Sequence, residues 1–196
     1  FTVCTALETV VLPKTVTTSV SSWGSMFSGC SSLKSVRLPE NMNTIPMNFF
    51  QRCAALESVD IPDGVITIAN WSFNATKALR KIKFPPALTG IALAAFQESG
   101  LDTVVVPATV VNLGNQVFST CPNLKSIRIE GPVTALGSYF ARRCPELTEI
   151  VLPATLRTVG RQAFAENPKL KTLAFPDSTD DIYQETLMGC TALDTI

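Results

Sequence analysis

The sequence contains no histidine among its 196 residues. That absence removes Ser-His-Asp and Cys-His catalysis, imidazole proton transfer and every metal site that needs an imidazole ligand. Charge is scarce too. Only 16% of residues are Asp, Glu, Lys or Arg, against about 25% in an average soluble domain. The 16 basic residues balance the 16 acidic ones, so there is none of the basic excess that marks a nucleic-acid binder. The longest apolar run, Ile91 to Phe96, is far short of the ~20 residues that span a bilayer. The stretch from Phe1 to Glu8 has neither the positive start nor the apolar run of a signal peptide. No nucleophile–base pair, phosphate loop or paired carboxylates stand out. The chain therefore reads as non-enzymatic, with no catalytic residue, cofactor or metal expected.

What the sequence does have is a repeat, the first thing to seek in any chain. Leucines lead each unit: Leu7, Leu33, Leu56, Leu79, Leu101, Leu124, Leu147, Leu170 and Leu193. Their spacings are 26, 23, 23, 22, 23, 23, 23 and 23 residues. Three residues before most leucines stands a cysteine, as in Cys30-x-x-Leu33-x-x-Val36-x-Leu38-Pro39 and Cys53-x-x-Leu56-x-x-Val59-x-Ile61-Pro62. After the proline come apolar pairs three apart, such as Val65 and Ile68 or Leu156 and Val159. Then comes an aromatic three residues before the cysteine position: Phe1, Phe27, Phe50, Phe73, Phe96, Phe118 and Phe164.

This unit resembles the leucine-rich repeat superfamily, and most closely its BspA-like type with a 23-residue unit. The resemblance covers the whole chain. It implies an α/β solenoid with a parallel β-sheet on one face and short helices or 3₁₀ turns elsewhere. The local chemistry agrees. Ser35-Val36-Arg37-Leu38 alternates as a strand with one buried face does, and β-branched Val59, Ile61, Ile127 and Ile129 suit it. Proline closes each strand because it cannot donate to a ladder. Gly160 to Glu166 carries good helix formers and predicts a short helix or 3₁₀ turn. No unit buries enough alone, so stacking on neighbours must stabilise the array.

Residues 1–196 form one solenoid of about eight units on this reading. Departures fall at the three extra residues between Pro13 and Phe27, the missing residue near Gly100, and Tyr139-Phe140, whose aromatic comes one place early. Both ends cut through a repeat and no capping unit is visible, so the reading expects an excerpt of a longer array.

Cys4, Cys30, Cys53, Cys121, Cys144 and Cys190 share one repeat position, held elsewhere by Thr76, Ser99 and Asn167. A column of buried free thiols is expected. Neighbouring rungs lie within disulfide reach, but no C-x₂₋₄-C pair offers a zinc site. Charges alternate in sign after the leading leucines, from Glu8 through Lys34, Glu57, Arg80 and Asp102 to Lys125, which predicts rung-to-rung ion pairs. Arg142, Arg143, Arg157 and Arg161 cluster and read as a solvated edge or a site for an anionic partner. Asn70-Trp71-Ser72 and Asn74-Ala75-Thr76 match the glycosylation sequon at a frequency chance alone supplies.

The candidate contact residues lie between the buried apolar positions of the strands, on the concave face common to solenoids. They are Ser35, Arg37, Ser58, Asp60, Lys81, Lys83, Thr103, Val105, Ser126 and Arg128. Lys81 and Lys83 are expected on one strand between Asp60 and Val105. A protein partner is expected there, with no nucleic acid, no membrane span and no deep pocket for a small molecule. The resemblance implies an adhesion or interaction role at the cell surface or in secretion. An intracellular, cytoplasmic scaffold is the alternative.

Overall fold

A computed structural model describes residues 1–15 and 20–196 of the chain. It is a parallel β-solenoid with two strand faces. The first face carries β1 (Thr9–Val11), β2 (Ser35–Arg37), β4 (Ser58–Asp60), β7 (Thr103–Val106), β9 (Ser126–Ile129) and β11 (Glu149–Val151). The second carries seven two-residue strands: β3 (Thr44–Ile45), β5 (Thr67–Ile68), β6 (Gly90–Ile91), β8 (Asn112–Leu113), β10 (Ala135–Leu136), β12 (Thr158–Val159) and β13 (Asp181–Ile182). Pairing is parallel and runs to the equivalent strand of the next unit, as Val36 with Val59 and Ile127 with Ile150, with one break on each face, between β4 and β7 and between β8 and β10. The apolar pairs after the prolines thus form the second ladder. Val65, Ile68, Leu156 and Val159 are fully buried.

The interior is a stack of repeat columns. Phenylalanines run down its centre, from Phe1 on Phe27 (centroids 5.6 Å apart, planes 4° apart) to Phe73 on Phe96 (5.0 Å, 5°). Such offset stacks stabilise by about 0.5–1.5 kcal/mol beyond area burial. Phe140 joins from the neighbouring backbone position. Ala141 stands where phenylalanine stands elsewhere, and the Phe140 ring meets Phe118 and Phe164 edge-on, at 87° and 88°. The early aromatic is therefore a side-chain substitution with the backbone register kept.

The helical expectation fails. Among the described residues the one helical element is a 3₁₀ turn at Val20–Trp23, so the solenoid is all-β rather than α/β. Gly160 to Glu166 shows why. Gln162, Phe164 and Glu166 donate their N–H groups to the carbonyls of Gln184, Thr186 and Met188 one unit on (3.2, 3.0 and 2.6 Å). Ala163 and Ala165 instead donate three residues back, to Gly160 and Gln162. An α-helix needs every N–H to point four residues back within its own segment. Positive φ at Gln162 (51°) and Glu166 (59°) turns alternate amides toward the next unit. The same two positions have positive φ in unit after unit: Asn48 and Arg52, Trp71 and Ala75, Ala94 and Glu98, Gln116 and Thr120, Tyr139 and Arg143. Helix propensity of a few tenths of a kcal/mol per residue loses to a ladder that pairs every unit with its neighbour.

Close approach explains the glycine that precedes the turn in three units, Gly114, Gly137 and Gly160. A Cβ on Gly160 would lie 2.6 Å from the Ser138 nitrogen, and one on Gly114 would lie 2.6 Å from that of Leu93. The expected bulge between Pro13 and Phe27 includes residues 16–19, which lie outside the described residues.

Candidate protein-contact face

The exposed side chains of the first face fall into two columns. Register puts Thr9, Ser35 and Ser58 in one and Val11, Arg37 and Asp60 in the other. Further along, Thr103, Ser126 and Glu149 continue the first, and Val105, Arg128 and Val151 the second. Nine of the ten candidate residues are exposed and Ser126 is half-buried. Between them Val36, Val59, Val104 and Ile127 point inward. The alternation read from sequence therefore holds.

One part of that reading is corrected. Lys81, Ile82 and Lys83 do not form a strand: the ladder runs β1-β2-β4, stops, and resumes as β7-β9-β11. The backbone groups from Lys81 to Phe84 make no hydrogen bond among the described residues. Phe84 stands where other units have Leu38, Ile61, Val106 and Ile129. It is half-buried, with its ring 5.8 Å from Phe96 and perpendicular to it. The other phenylalanine at this position is Phe175, and there too the ladder shrinks, to isolated bridges at Thr172. A ring too large to turn fully inward holds the strand off the ladder.

Three of the shallow depressions among the described residues bear on the two strand faces. One of about 690 Å³ lies over Val10, Val36 and Arg37, rimmed by Glu40, Asp60 and Asp63. The gap in the ladder makes a second, about 350 Å³, floored by Ile82, Phe84 and Val105 between Lys81 and Glu130. The third, about 490 Å³, lies on the second face around Gly90, Ala92, Leu93 and Val111 and has no charged residue in its lining. The last two were not read from sequence. The phenylalanine at position 84 and the exposed Val111 were their signals in the sequence.

The arginine cluster is internally neutralised. Arg142 and Arg143 both bind Glu166, Arg143 at 2.7 Å. Arg157 binds Asp180 (3.0 Å) and Arg161 binds Glu185 (3.1 Å). The Arg143 and Arg142 guanidiniums hold the Glu166 carboxyl below its ordinary value. Of the alternating rim charges, Lys34 pairs with Glu8 (2.9 Å) and Arg80 with Asp102 (3.2 Å). By contrast Lys81, Lys83 and Arg128 have no carboxylate partner among the described residues.

All six cysteines are free, with Cys4 exposed and Cys190 half-buried rather than buried as expected. Their repeat position has a definite task. The thiols of Cys30, Cys53, Cys121, Cys144 and Cys190 donate to the carbonyls of Phe1, Phe27, Phe96, Phe118 and Phe164, at 3.0–3.2 Å. Burial pushes the Cys53 thiol up to about 12 and holds that of Cys144 well above its usual value. Asn167 does the same task more fully. Its amide donates to Ala141 (2.9 Å) and Phe164 (2.7 Å), and its carbonyl accepts from the Cys144 N–H (2.8 Å). Asn74 spends its side-chain amide on Gln97 (3.1 Å), and Ser72 is buried with its hydroxyl on Ala69 (2.6 Å). Asn74 is thus buried and engaged, whereas Asn70 is half-buried.

With this geometry in place, the repeat can be set against known proteins. A model of the BspA type leucine-rich repeat region matches residues 1–125 and 111–196, in six copies. The chain belongs to the BspA type leucine-rich repeat family. No curated protein matches the sequence. Among solved structures, a leucine-rich repeat protein from Bacteroides ovatus superposes with a TM-score of 0.73 at 24% identity, over 95% of this chain and 56% of that one. One from T. pallidum gives 0.69 at 26% identity, over 95% of this chain and 78% of that one. A third, from Eubacterium ventriosum, gives 0.60 at 18% identity, over 93% of this chain and 58% of that one. The chain thus spans little more than half the length of two of these proteins. The likenesses show the fold of this BspA-type solenoid. No helix among its described residues is long and apolar enough to cross a membrane.

Proposed function

We propose that the chain is a non-enzymatic protein-binding module of the adhesion type, at the cell surface or secreted, and that it makes contact through its first strand face. One observation carries the reading. The four arginines of the other edge bind three carboxylates one unit on, Arg142 and Arg143 sharing Glu166, while Lys81, Lys83 and Arg128 on the strand face are left for a partner. Shallow depressions rather than an enclosed cavity suit a protein surface. Each module contributes modestly, and repetition along an array adds avidity.

The test compares charge reversal at Arg37, Lys83 and Arg128 with reversal at Arg142, Arg143 and Arg161 in a capture assay on host or neighbouring-cell protein. The first set should abolish capture at unchanged melting temperature. Survival with the first set and loss with the second would overturn the assignment. A second reading, an intracellular scaffold, is favoured by the six free thiols, because such columns persist reduced in the cytosol.

A further inference from the structure

We infer that the gap in the ladder at Lys81–Phe84 is a specific docking point for an extended, acidic protein segment carrying one apolar side chain. This rests on the strand-face reading above and names the chemistry of the partner. Three features converge. First, the missing rung opens a depression of about 350 Å³ whose floor is apolar, from Ile82, Phe84 and Val105. Val105 is 51% exposed, so the floor is presented to solvent and to any visitor. Second, Lys81 lines the depression and Lys83 lies in the chain between its floor residues Ile82 and Phe84, both exposed and both lacking a carboxylate partner among the described residues. Third, the face as a whole is positive within a neutral chain. Its two columns carry Arg37, Lys81, Lys83 and Arg128 against Asp60 and Glu149.

A lysine pair beside an apolar floor selects a side chain that fills the floor and carboxylates that reach the ammonium groups. A regular polyanion fits poorly. Asp60 lies one unit before the gap and Glu130 lines it, so evenly spaced sulfates or phosphates would meet negative charge while leaving the floor empty. An aromatic or large aliphatic residue flanked by acids meets both demands, and such a buried anchor within a charged rim is the usual energetic centre of a protein contact.

The experiment follows backbone amide shifts of the full chain by NMR while the peptide Asp-Glu-Phe-Glu-Asp is added. Saturable shifts are expected from Lys81 to Val105, with affinity falling at least tenfold when the central residue is glycine. K81E/K83E should lose at least tenfold as well. V105D should lose a similar factor while leaving both lysines in place, and both variants should melt as the parent does. Equal binding of Lys-Arg-Phe-Arg-Lys, shifts spread evenly over the molecule, or a heparin oligosaccharide that competes at equal affinity would overturn the inference. If the peptide fails while reversal of Arg37, Lys83 and Arg128 still abolishes capture, this chemistry falls and the strand face stands. If both fail, the strand face falls too.

Discussion

Asn167→Ala is the substitution whose cost the structure defines best. The side chain is fully buried and serves three backbone groups: the carbonyls of Ala141 and Phe164 and the N–H of Cys144. Leaving a buried polar group unpaired costs about 1–3 kcal/mol. A simple sum over three groups overstates the loss, because two of them can satisfy each other. In other units the cysteine N–H donates three residues back, as Cys30 does to Phe27 (3.0 Å) and Cys53 to Phe50 (3.0 Å). Cys144 can do the same to Ala141 once the asparagine is gone. The Phe164 carbonyl keeps the Cys190 thiol as its donor, so what is lost is two hydrogen bonds of the amide and the packing of the side chain, for a net cost of about 2–4 kcal/mol. For a chain of this size that is a fall of roughly 5–15 °C in melting temperature. Asn167→Cys should recover most of it, since a thiol there restores the donor that the other units use. Circular-dichroism melts give the ranking, and amide exchange at Cys144 gives the location. A loss under ~0.5 kcal/mol for the alanine variant, or no recovery by cysteine, would refute this account of the column.

Phe84→Leu should complete the ladder, raising amide-exchange protection at Lys81–Lys83 without loss of stability; unchanged exchange there would show that the ring does not cause the gap. Gly160→Ala should cost more than ~2 kcal/mol because its Cβ would press on backbone at 2.6 Å, whereas Gly90→Ala, whose nearest neighbour is the Asn112 Cβ at 3.8 Å, should be near neutral. In the native protein Cys4 should react with a thiol reagent at pH 8 while Cys53, with its pKa near 12, stays inert; the unfolded, unreduced chain should show six thiols. Glu166→Gln should destabilise at neutral pH, and the difference should be lost with falling pH. The carboxyl is held below its ordinary value by Arg143 and Arg142, so its stabilisation is full above the unfolded pKa and disappears through the lowered one. A pH-independent difference would point to packing instead.

Sequence legibility followed the physics of each feature. The two strand ladders and the buried columns were readable because period-2 alternation and a 23-residue step leave marks on every unit. The turn at Gly160 to Glu166 was misread because local propensity argues for helix there, while the force that wins acts between units and shows in no single segment. The strand through Lys81 and Lys83 was misread because Phe84 passes as one more apolar residue; only its volume differs from Leu38 or Ile61. The neutralised arginines were ambiguous because their partners, Glu166, Asp180 and Glu185, lie a full unit away.

Nearly every interaction described here runs along the rod axis. The amide ladders, the ring stacks, the thiol and asparagine bonds and seven of the eight ion pairs among the described residues join one unit to another; Arg37 with Glu40 is the exception. Tension applied between Phe1 and Ile196 therefore loads the units as links in series, each bearing the full force, and the chain is no stronger than its poorest link. The first strand face holds no hydrogen-bonded rung between β4 and β7 and the second none between β8 and β10, so extension should begin at one of these two breaks. Such a rupture would divide the molecule into two shorter rods, one on either side of the break.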